Sequence, residues 1–507
     1  MIKVLFIAMT SSVVCAQWSD SPVSELAICS ASGEQAITKI SATNDGGCYI
    51  SWFDNRSGGY DVYMQRLDAD GNPLWQSDGI LIADRNYSST MDFDLDIDAF
   101  GNAIVVYRKN MFNGDGVYAT LVNPAGVIQW NTLVQPSGTF VASPVVTAVE
   151  NDIVVGWISD EVSKFQRLNA KGTPQWPSPL ILSDPAGGSL QVADIHESLD
   201  GSVITSFVQY TSFWGNKVLK AQRIASNGST VWPELVSVMF DNSLQMGAYP
   251  DFISDGTGGG FFTWYGVGPL QSYAMKISSD GNFWFAGQVQ VASTVGATER
   301  VNPVAVRDGN EFVVFFRSLD NGQNNDGIGA QRLSSVGGLL WGNAGLVLKP
   351  TSSSPQYGSF ATAKTDIGTT LFFDESASFG NGIVTGVSLD TSGNTQWTPS
   401  FSSVASTPSS KSRMVAASTG DGVLLAWQDD RSGANDIYGQ RVNSDGSLGN
   451  STSCAGDIDG DGVVGVIDLL TAIGVWGPCS NCNADIDGDG NVGVSDLLSI
   501  IGQWGDC

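Results

Sequence analysis

Histidine is almost missing from this chain: His196 is the only one in 507 residues. A single imidazole argues against His-based catalysis and against metal centres built from several histidines. Positive charge is also scarce. Lys plus Arg number 24 against 51 Asp plus Glu, a formal net charge of −27, and no Lys or Arg follows Arg441. Such a surface repels phosphate backbones and anionic lipid, which argues against nucleic-acid and membrane-surface partners. No segment beyond the first residues approaches the 18 uninterrupted apolar residues of a membrane span. Only 15% of residues are charged, too few for the solvated faces of many helices. What the chain has instead is glycine, at 60, and tryptophan, at 15. That composition points to a strand- and turn-rich protein.

The first residues read as an export signal. Lys3 precedes a short apolar core from Val4 to Val14, and Val14-Cys15-Ala16 offers a cleavage site before Gln17. The expectation is a signal peptide over 1–16 and a secreted, extracellular protein from 17 onward. Six cysteines then remain, Cys29, Cys48, Cys454, Cys479, Cys482 and Cys507, an even number in an exported chain and so a sign of disulfides.

Self-similarity organises residues 17–450. A Gly is followed four residues later by Trp at Gly71/Trp75, Gly126/Trp130, Gly172/Trp176, Gly228/Trp232, Gly337/Trp341 and Gly393/Trp397. Phe285 takes the Trp place after Gly281, with Trp284 beside it, and Gly446 has Asn450 there. Upstream, the first and last units share Trp52/Trp427, Asp54/Asp429, Arg56-Ser57-Gly58/Arg431-Ser432-Gly433 and Gln65-Arg66/Gln440-Arg441. Each unit reads as four short strands, with an apolar β-branched run such as Ile153–Trp157, an alternating run such as Asp61–Leu67, and a hairpin turn at the Gly. Four strands repeated eight times at a spacing of about 54 residues predict an all-β chain, an eight-bladed β-propeller. Beads of β-sandwich modules need about 100 residues each and a pairing of units that the spacing does not show.

The last unit stops after its third strand and its Gly446 turn. The stretch Trp18–Cys29 resembles the piece that follows Trp75, so the N-terminal strand is expected to close the ring. A Cys29–Cys48 disulfide would then lock the seam, closing a loop of about 20 residues worth roughly 3 kcal/mol.

Residues repeated in every blade serve blade geometry, because catalysis needs one asymmetric cluster. Two irregular features stand out against the repeat. Asp92, Asp94, Asp96 and Asp98 alternate with apolar residues, which lines carboxylates along one face of a strand, a row suited to a cation or basic ligand or to a solvated channel. His196 sits between Asp194 and Glu197. No catalytic residue can be named from the sequence, and nothing in it calls for an organic cofactor.

The C-terminal stretch, 451–507, carries a second repeat with a period of 28 residues, CAGDIDGDGVVGVIDLL and CNADIDGDGNVGVSDLL. Asp457, Asp459, Asp461 and Asp468, then Asp485, Asp487, Asp489 and Asp496, fall at positions 1, 3, 5 and 12 of a calcium loop. Gly462 and Gly490 hold the sharp turn at position 6, and Val463 and Asn491 offer backbone carbonyls at position 7. Two Ca²⁺ ions are expected. Without them the crowded carboxylates repel one another.

No amphipathic helix precedes either loop, so each is a loop-helix unit. In this, residues 454–507 resemble type I dockerin domains, which carry two such calcium repeats and dock onto cohesins. The resemblance implies a cohesin-like or cell-surface docking partner. Loop positions 10 and 11, often a Ser/Thr pair in cellulosomal dockerins, are here Val466-Ile467 and Val494-Ser495. Cys454 and Cys482 sit three residues before position 1, and Cys479 and Cys507 eleven after position 12. Repeat symmetry therefore predicts the disulfides Cys454–Cys479 and Cys482–Cys507, with a zinc site at Cys479/Cys482 as the rival.

The expected whole is a secreted propeller that binds a ligand or partner, polysaccharide among the candidates, and is attached by a calcium-dependent dockerin-like module. The alternative is a dockerin-bearing enzyme, a glycoside hydrolase or polysaccharide lyase, with its active site on a propeller face.

Overall fold

The structure is a computed structural model. It describes residues 17–85, 93–111, 114–138, 140–185, 187–212, 214–241, 243–245, 247–293, 298–378, 380–450, 456–459, 463–479, 482–486 and 490–506. The expected signal peptide, Asp92, Asp461, Asp487, Asp489, Cys454 and Cys507 lie outside these. The chain divides into two compact units, one ending at Gly449 and the other beginning at Asn450.

The first unit is the eight-bladed propeller. Eight four-stranded antiparallel sheets follow one another along the chain. Blade 1 is typical, with strands Gln35–Ala42, Cys48–Asp54, Asp61–Leu67 and Ile80–Ala83 in spatial order. Its second strand, CYISWFD, is buried along its whole length, as a strand enclosed between neighbouring sheets must be. The first strand of each blade is innermost, and in six blades it carries a register shift. At several of these bulges a non-glycine residue adopts positive φ, as at Ile37 (φ 56) and Asn302 (φ 50). A β-branched residue in that region is held there only by its surroundings.

The tryptophan repeat is what joins one blade to the next. In every blade but the fifth the Trp lies on the turn glycine of the following blade and its indole N–H donates to a carbonyl of that turn, while in blade 5 the Phe285 ring takes the place against Gly337 without a donor. Trp75 donates to Pro124 O at 3.1 Å, Trp176 to Ser226 O at 2.9 Å, and Trp397 to Ser444 O at 2.7 Å. The glycine is required twice over. Gly446 has φ 88, and a Cβ there would sit 2.6 Å from the Trp397 ring, closer than any side chain tolerates.

Trp18 supplies the eighth of these contacts. Its indole donates to Ala69 O at 3.1 Å and its backbone N–H to Asp70 O at 3.0 Å. Leu26–Cys29 pairs antiparallel with Asp436–Asn443, completing a last sheet whose other strands are Gly422–Asp429 and Lys411–Ser418. The N-terminus therefore closes the ring as the missing fourth strand implied. Glu25 reinforces the seam by an ion pair with Arg431 at 2.6 Å.

The seam disulfide is absent. Cys29 and Cys48 are both buried free thiols. The Cys29 sulfur lies against Asp54 and Arg56, 3.8 Å from Asp54 Oδ2 and 3.1 Å from Arg56 Nη2. Asp54 is at one end of its strand and Cys48 at the other, six residues away. At about 3.3 Å per residue that is roughly 20 Å, far beyond the reach of a disulfide.

In the second unit, each loop leads into a short helix, α1 (Val466–Gly474) or α2 (Val494–Gly502). Val464, Ala472, Ala484, Val492 and Ile500 form its small core. The two loop-helix units exchange their ends. Gly477–Pro478, which ends the first, pairs with Asn491–Val492 of the second loop, and Val463–Val464 of the first loop pairs with Gly505–Asp506. This exchange overturns the expected pairing of Cys479 with Cys454. It carries Cys479 away from its own unit and beside the start of the next, and the bond formed is Cys479–Cys482, with Cα atoms 6.0 Å apart. With Cys482 so engaged, the Cys482–Cys507 pairing and the zinc alternative fall with it.

Candidate functional site

The repeated charged residues are occupied by architecture. In blade 1 the Trp52 N–H donates to Asp54 Oδ2 at 2.9 Å and Arg56 pairs with the same fully buried carboxylate at 2.6 Å. In blade 8 Trp427, Asp429 and Arg431 repeat the arrangement, with Lys411 3.2 Å from Asp429. Burial would push the Asp429 carboxyl up, but the donors around it, Arg431 first, hold it down at about 2. The Gln-Arg pair acts at the other end of the strand. Gln166 Nε2 donates to Trp176 O at 3.2 Å while its Oε1 accepts the Trp176 N–H at 3.1 Å.

The asymmetric chemistry lies in the channel that the inner strands surround. Asp94 and Asp96 stand on Phe93–Ile97 of blade 2. Asp94 meets Lys39 of blade 1 at 2.9 Å and accepts the Val146 N–H of blade 3 at 3.1 Å. Asp96 accepts the Ala148 N–H at 2.8 Å. Inner strands of adjacent blades belong to separate sheets, and these carboxylates bridge them. Asp98 instead closes the following turn through Phe100 N and Asn102 N, each at 2.9 Å. The sequence therefore placed the acidic row on one strand, and the structure divides it between blade-to-blade bridges and a turn.

Two blades further on, Asp194 repeats the bridging role, accepting the Phe252 N–H of blade 5 at 3.0 Å. His196 lies beside it, with Nε2 3.1 Å from Asp194 Oδ2 and 2.7 Å from Phe252 O. The enclosure of the channel works against a charged ring. The Asp194 carboxylate more than offsets it and raises His196 to about 9. Asp251 faces the channel between these groups and is pushed up to about 6, by the enclosure first and then by Asp194, against the pull of Lys39. Lys39, Asp94, Asp96, Asp194, His196 and Asp251 thus form one charged group contributed by blades 1, 2, 4 and 5. Sequence reasoning singled out Asp94, Asp96 and the Asp194/His196 pair but had no means of joining them or of finding Lys39 and Asp251, which no local pattern marks.

At one mouth of the channel is a cavity of about 630 Å³. Asp45, Asp96, Asp98, Glu150 and Glu197 give it a negative wall, with Arg66 the one cationic side chain and Phe100 an exposed aromatic. Its volume is within the range of small-ligand sites.

The C-terminal loops hold the second candidate. One carboxyl oxygen each from Asp457, Asp459 and Asp468 lie within 4.8 Å of one another. Asp468 is buried at the third residue of α1, where Oδ2 accepts the Gly465 N–H at 2.8 Å and Oδ1 accepts the Ile458 N–H at 2.7 Å. The donor set, hard oxygens only, suits a cation such as calcium. In the second loop Asp496 is held in the same way, by Gly493 N and Ile486 N at 2.7 Å each, and Asp485 has a buried Oδ1 without a partner. Val463 and Asn491 stand in the short strands that link the loops.

No protein-family profile matches the chain, and no curated protein matches it. Solved structures resemble it at low identity. They include a puromycin hydrolase (13% identity, TM-score 0.42, 82% of this chain and 61% of that one). Prolyl oligopeptidase B from Galerina marginata aligns at 12% identity and TM-score 0.43, over 78% of this chain and 56% of that one. The N10 neuraminidase-like protein of A/little yellow-shouldered bat/Guatemala/060/2010 aligns at 11% and 0.34, over 71% and 93%. This chain spans less than two thirds of the puromycin hydrolase and of prolyl oligopeptidase B. Among the described residues no helix is long and apolar enough to cross a membrane.

Proposed function

We propose that this is a secreted, extracellular propeller that binds a ligand or partner, polysaccharide among the candidates, and is attached to a partner through a calcium-dependent, dockerin-like C-terminal module. The observation that carries the proposal is the convergence of Asp457, Asp459 and Asp468 to within 4.8 Å, on a module without a single Lys or Arg. Three carboxylates so placed need a cation to relieve their repulsion, and by the repeat the second loop takes another. Large apolar side chains on the two helices support attachment. Leu470 and Trp476 in or after α1, and Leu498 and Trp504 in or after α2, are 50 to 63% exposed, a surface that a partner would cover. The test is calorimetry of calcium binding to the full chain, with Asp457→Ala/Asp485→Ala as the control. Two binding events lost in the double variant support the proposal, and a chain indifferent to calcium refutes it.

One observation favours the enzymatic alternative. Asp251, raised to about 6, and Asp194, held below its ordinary value, give the channel two carboxyl groups of unequal acidity, as an acid and base acting on a glycosidic bond would require. Release of reducing sugar from a polysaccharide panel, abolished by Asp251→Asn, would establish that reading over simple binding.

A further inference from the structure

The two calcium loops are near copies in sequence, but the structure fastens them by different means. Each receives the end of the other unit as a two-residue strand, Gly505–Asp506 on the first loop and Gly477–Pro478 on the second. A pairing that short is marginal by itself, so each junction needs a further tie. In the first loop the tie is a hydrogen bond. The Gly456 N–H, one residue before Asp457, donates at 2.9 Å to Oε1 of Gln503, the residue that caps the end of α2. The 28-residue period puts Val475 in the corresponding place after α1, and Ala484 where Gly456 stands. Valine has no side-chain acceptor, so the second loop cannot be tied in this way.

What the second loop has instead is the Cys479–Cys482 disulfide. Its two ends reach different parts of the loop. After Cys482 the chain turns directly into position 1, with the Asp485 N–H donating to Cys482 O at 3.2 Å. The Cys479 N–H donates to the carbonyl of Gly490, at position 6, at 2.9 Å. Asp485 and Gly490 are themselves joined, the Gly490 N–H donating to Asp485 Oδ2 at 2.9 Å, while Oδ1 of Asp485 is buried without a partner. The disulfide therefore completes a circuit through positions 1 and 6 and steadies the position-1 carboxylate, one oxygen of which is left over for a cation. The bond spans only three residues of sequence, so it restricts the unfolded chain little and acts locally. Both cysteines are half-buried against the module's small core.

We infer that the Cys479–Cys482 disulfide sets the calcium affinity of the second loop, and that a small thiol which reduces it weakens that site while the first loop keeps its own. The inference rests on the calcium reading above and adds to it that the two sites are unequal and that one answers to redox conditions. The chemistry is thiol–disulfide exchange. A thiolate attacks one sulfur of the pair to form a mixed disulfide, the freed cysteine sulfur takes up a proton, and a second thiol then displaces the first. Two thiol molecules become one disulfide, and the two electrons and two protons they give up end on Cys479 and Cys482. With the bond open, positions 1 and 6 lose their covalent link. Calcium must then order the loop as it binds, a cost that appears as lost affinity.

The test is calorimetric titration of the full, oxidised chain with calcium in two backgrounds. Asp457→Ala leaves the second loop as the working site, and Asp485→Ala leaves the first. In each, the Cys479→Ser/Cys482→Ser pair is compared with the intact disulfide. The expected result is affinity weaker by roughly tenfold or more at the second loop and unchanged within about twofold at the first. Treating the Asp457→Ala chain with 2-mercaptoethanol should reproduce the loss, and reoxidation should reverse it. Undiminished affinity of the serine pair at the second loop, or equal weakening of both loops, overturns the inference and leaves the calcium reading standing. A loss that the thiol does not reproduce overturns the redox response. Should the serine pair not fold, Cys479→Ala/Cys482→Val, which keeps the core apolar, decides. Failure of the unsubstituted chain to bind calcium overturns both.

Discussion

At the scale of single residues, one side chain type does different work according to its partner. Trp52 and Trp264 occupy the same place in their blades, yet only Trp52 has an acceptor. Trp52→Phe leaves the buried Asp54 one donor short and should cost about 1–3 kcal/mol, read by urea denaturation. The thiols make a second contrast. Peptide mapping under non-reducing conditions should find Cys479 joined to Cys482, while Cys29 and Cys48 should resist alkylation until the chain is unfolded. The channel groups set a pH response. His196 and Asp251 both have folded pKa values above their ordinary ones, about 9 and about 6. Each therefore favours the folded state at low pH and withdraws that support as pH rises, Asp251 between about 4 and 6 and His196 between about 6.5 and 9. The melting temperature should fall across both windows, and His196→Gln should abolish the upper one. A flat profile from pH 6.5 to 9 would refute the assignment.

At the scale of elements, the turn glycines and the closing strand carry the ring. Gly446→Ala must adopt positive φ and meet the Trp397 ring, so it should cost about 1–3 kcal/mol although no hydrogen-bonding side chain is removed. Deletion of 17–29 removes Trp18, Glu25 and the fourth strand of blade 8, and should lower the melting temperature and promote aggregation through the exposed edge. Most of this was legible in the sequence. The Gly-to-Trp spacing announced the blades, and the orphaned turn at Gly446 pointed to Trp18. The disulfides were not legible, because sequence symmetry cannot tell whether a strand pairs with its own loop or its neighbour's. Here Gly477–Pro478 pairs across, and a single exchanged strand moved Cys479 to a new partner. The channel cluster was half legible for a similar reason. Alternation marks Asp94 and Asp96, but Lys39 and Asp251 come from other blades and announce nothing locally.

At the scale of the whole molecule, two units of opposite construction share one chain. The propeller is held by long strands and a continuous series of aromatic rings on turn glycines, the C-terminal module by a core of five small side chains and a disulfide. Heating the full chain should give two transitions. The one belonging to the module should rise with free calcium, by about 2.7 kcal/mol per site at a hundredfold excess over Kd, and collapse in chelator, while the propeller transition stays in place. A single calcium-independent transition would refute this division.

The eighth blade also sets an order of events. Its strands come from both ends of the propeller, and the Glu25–Arg431 pair joins residues 406 positions apart. A chain emerging from its N-terminus first must hold Leu26–Cys29 unpaired until the rest of the ring exists, an arrangement of high contact order that delays the final step. Through that interval the nascent protein presents an open strand edge to whatever surrounds it. Moving residues 17–29 to follow Gly449, so that the blade forms from consecutive chain, should leave the ring intact and shorten its folding time.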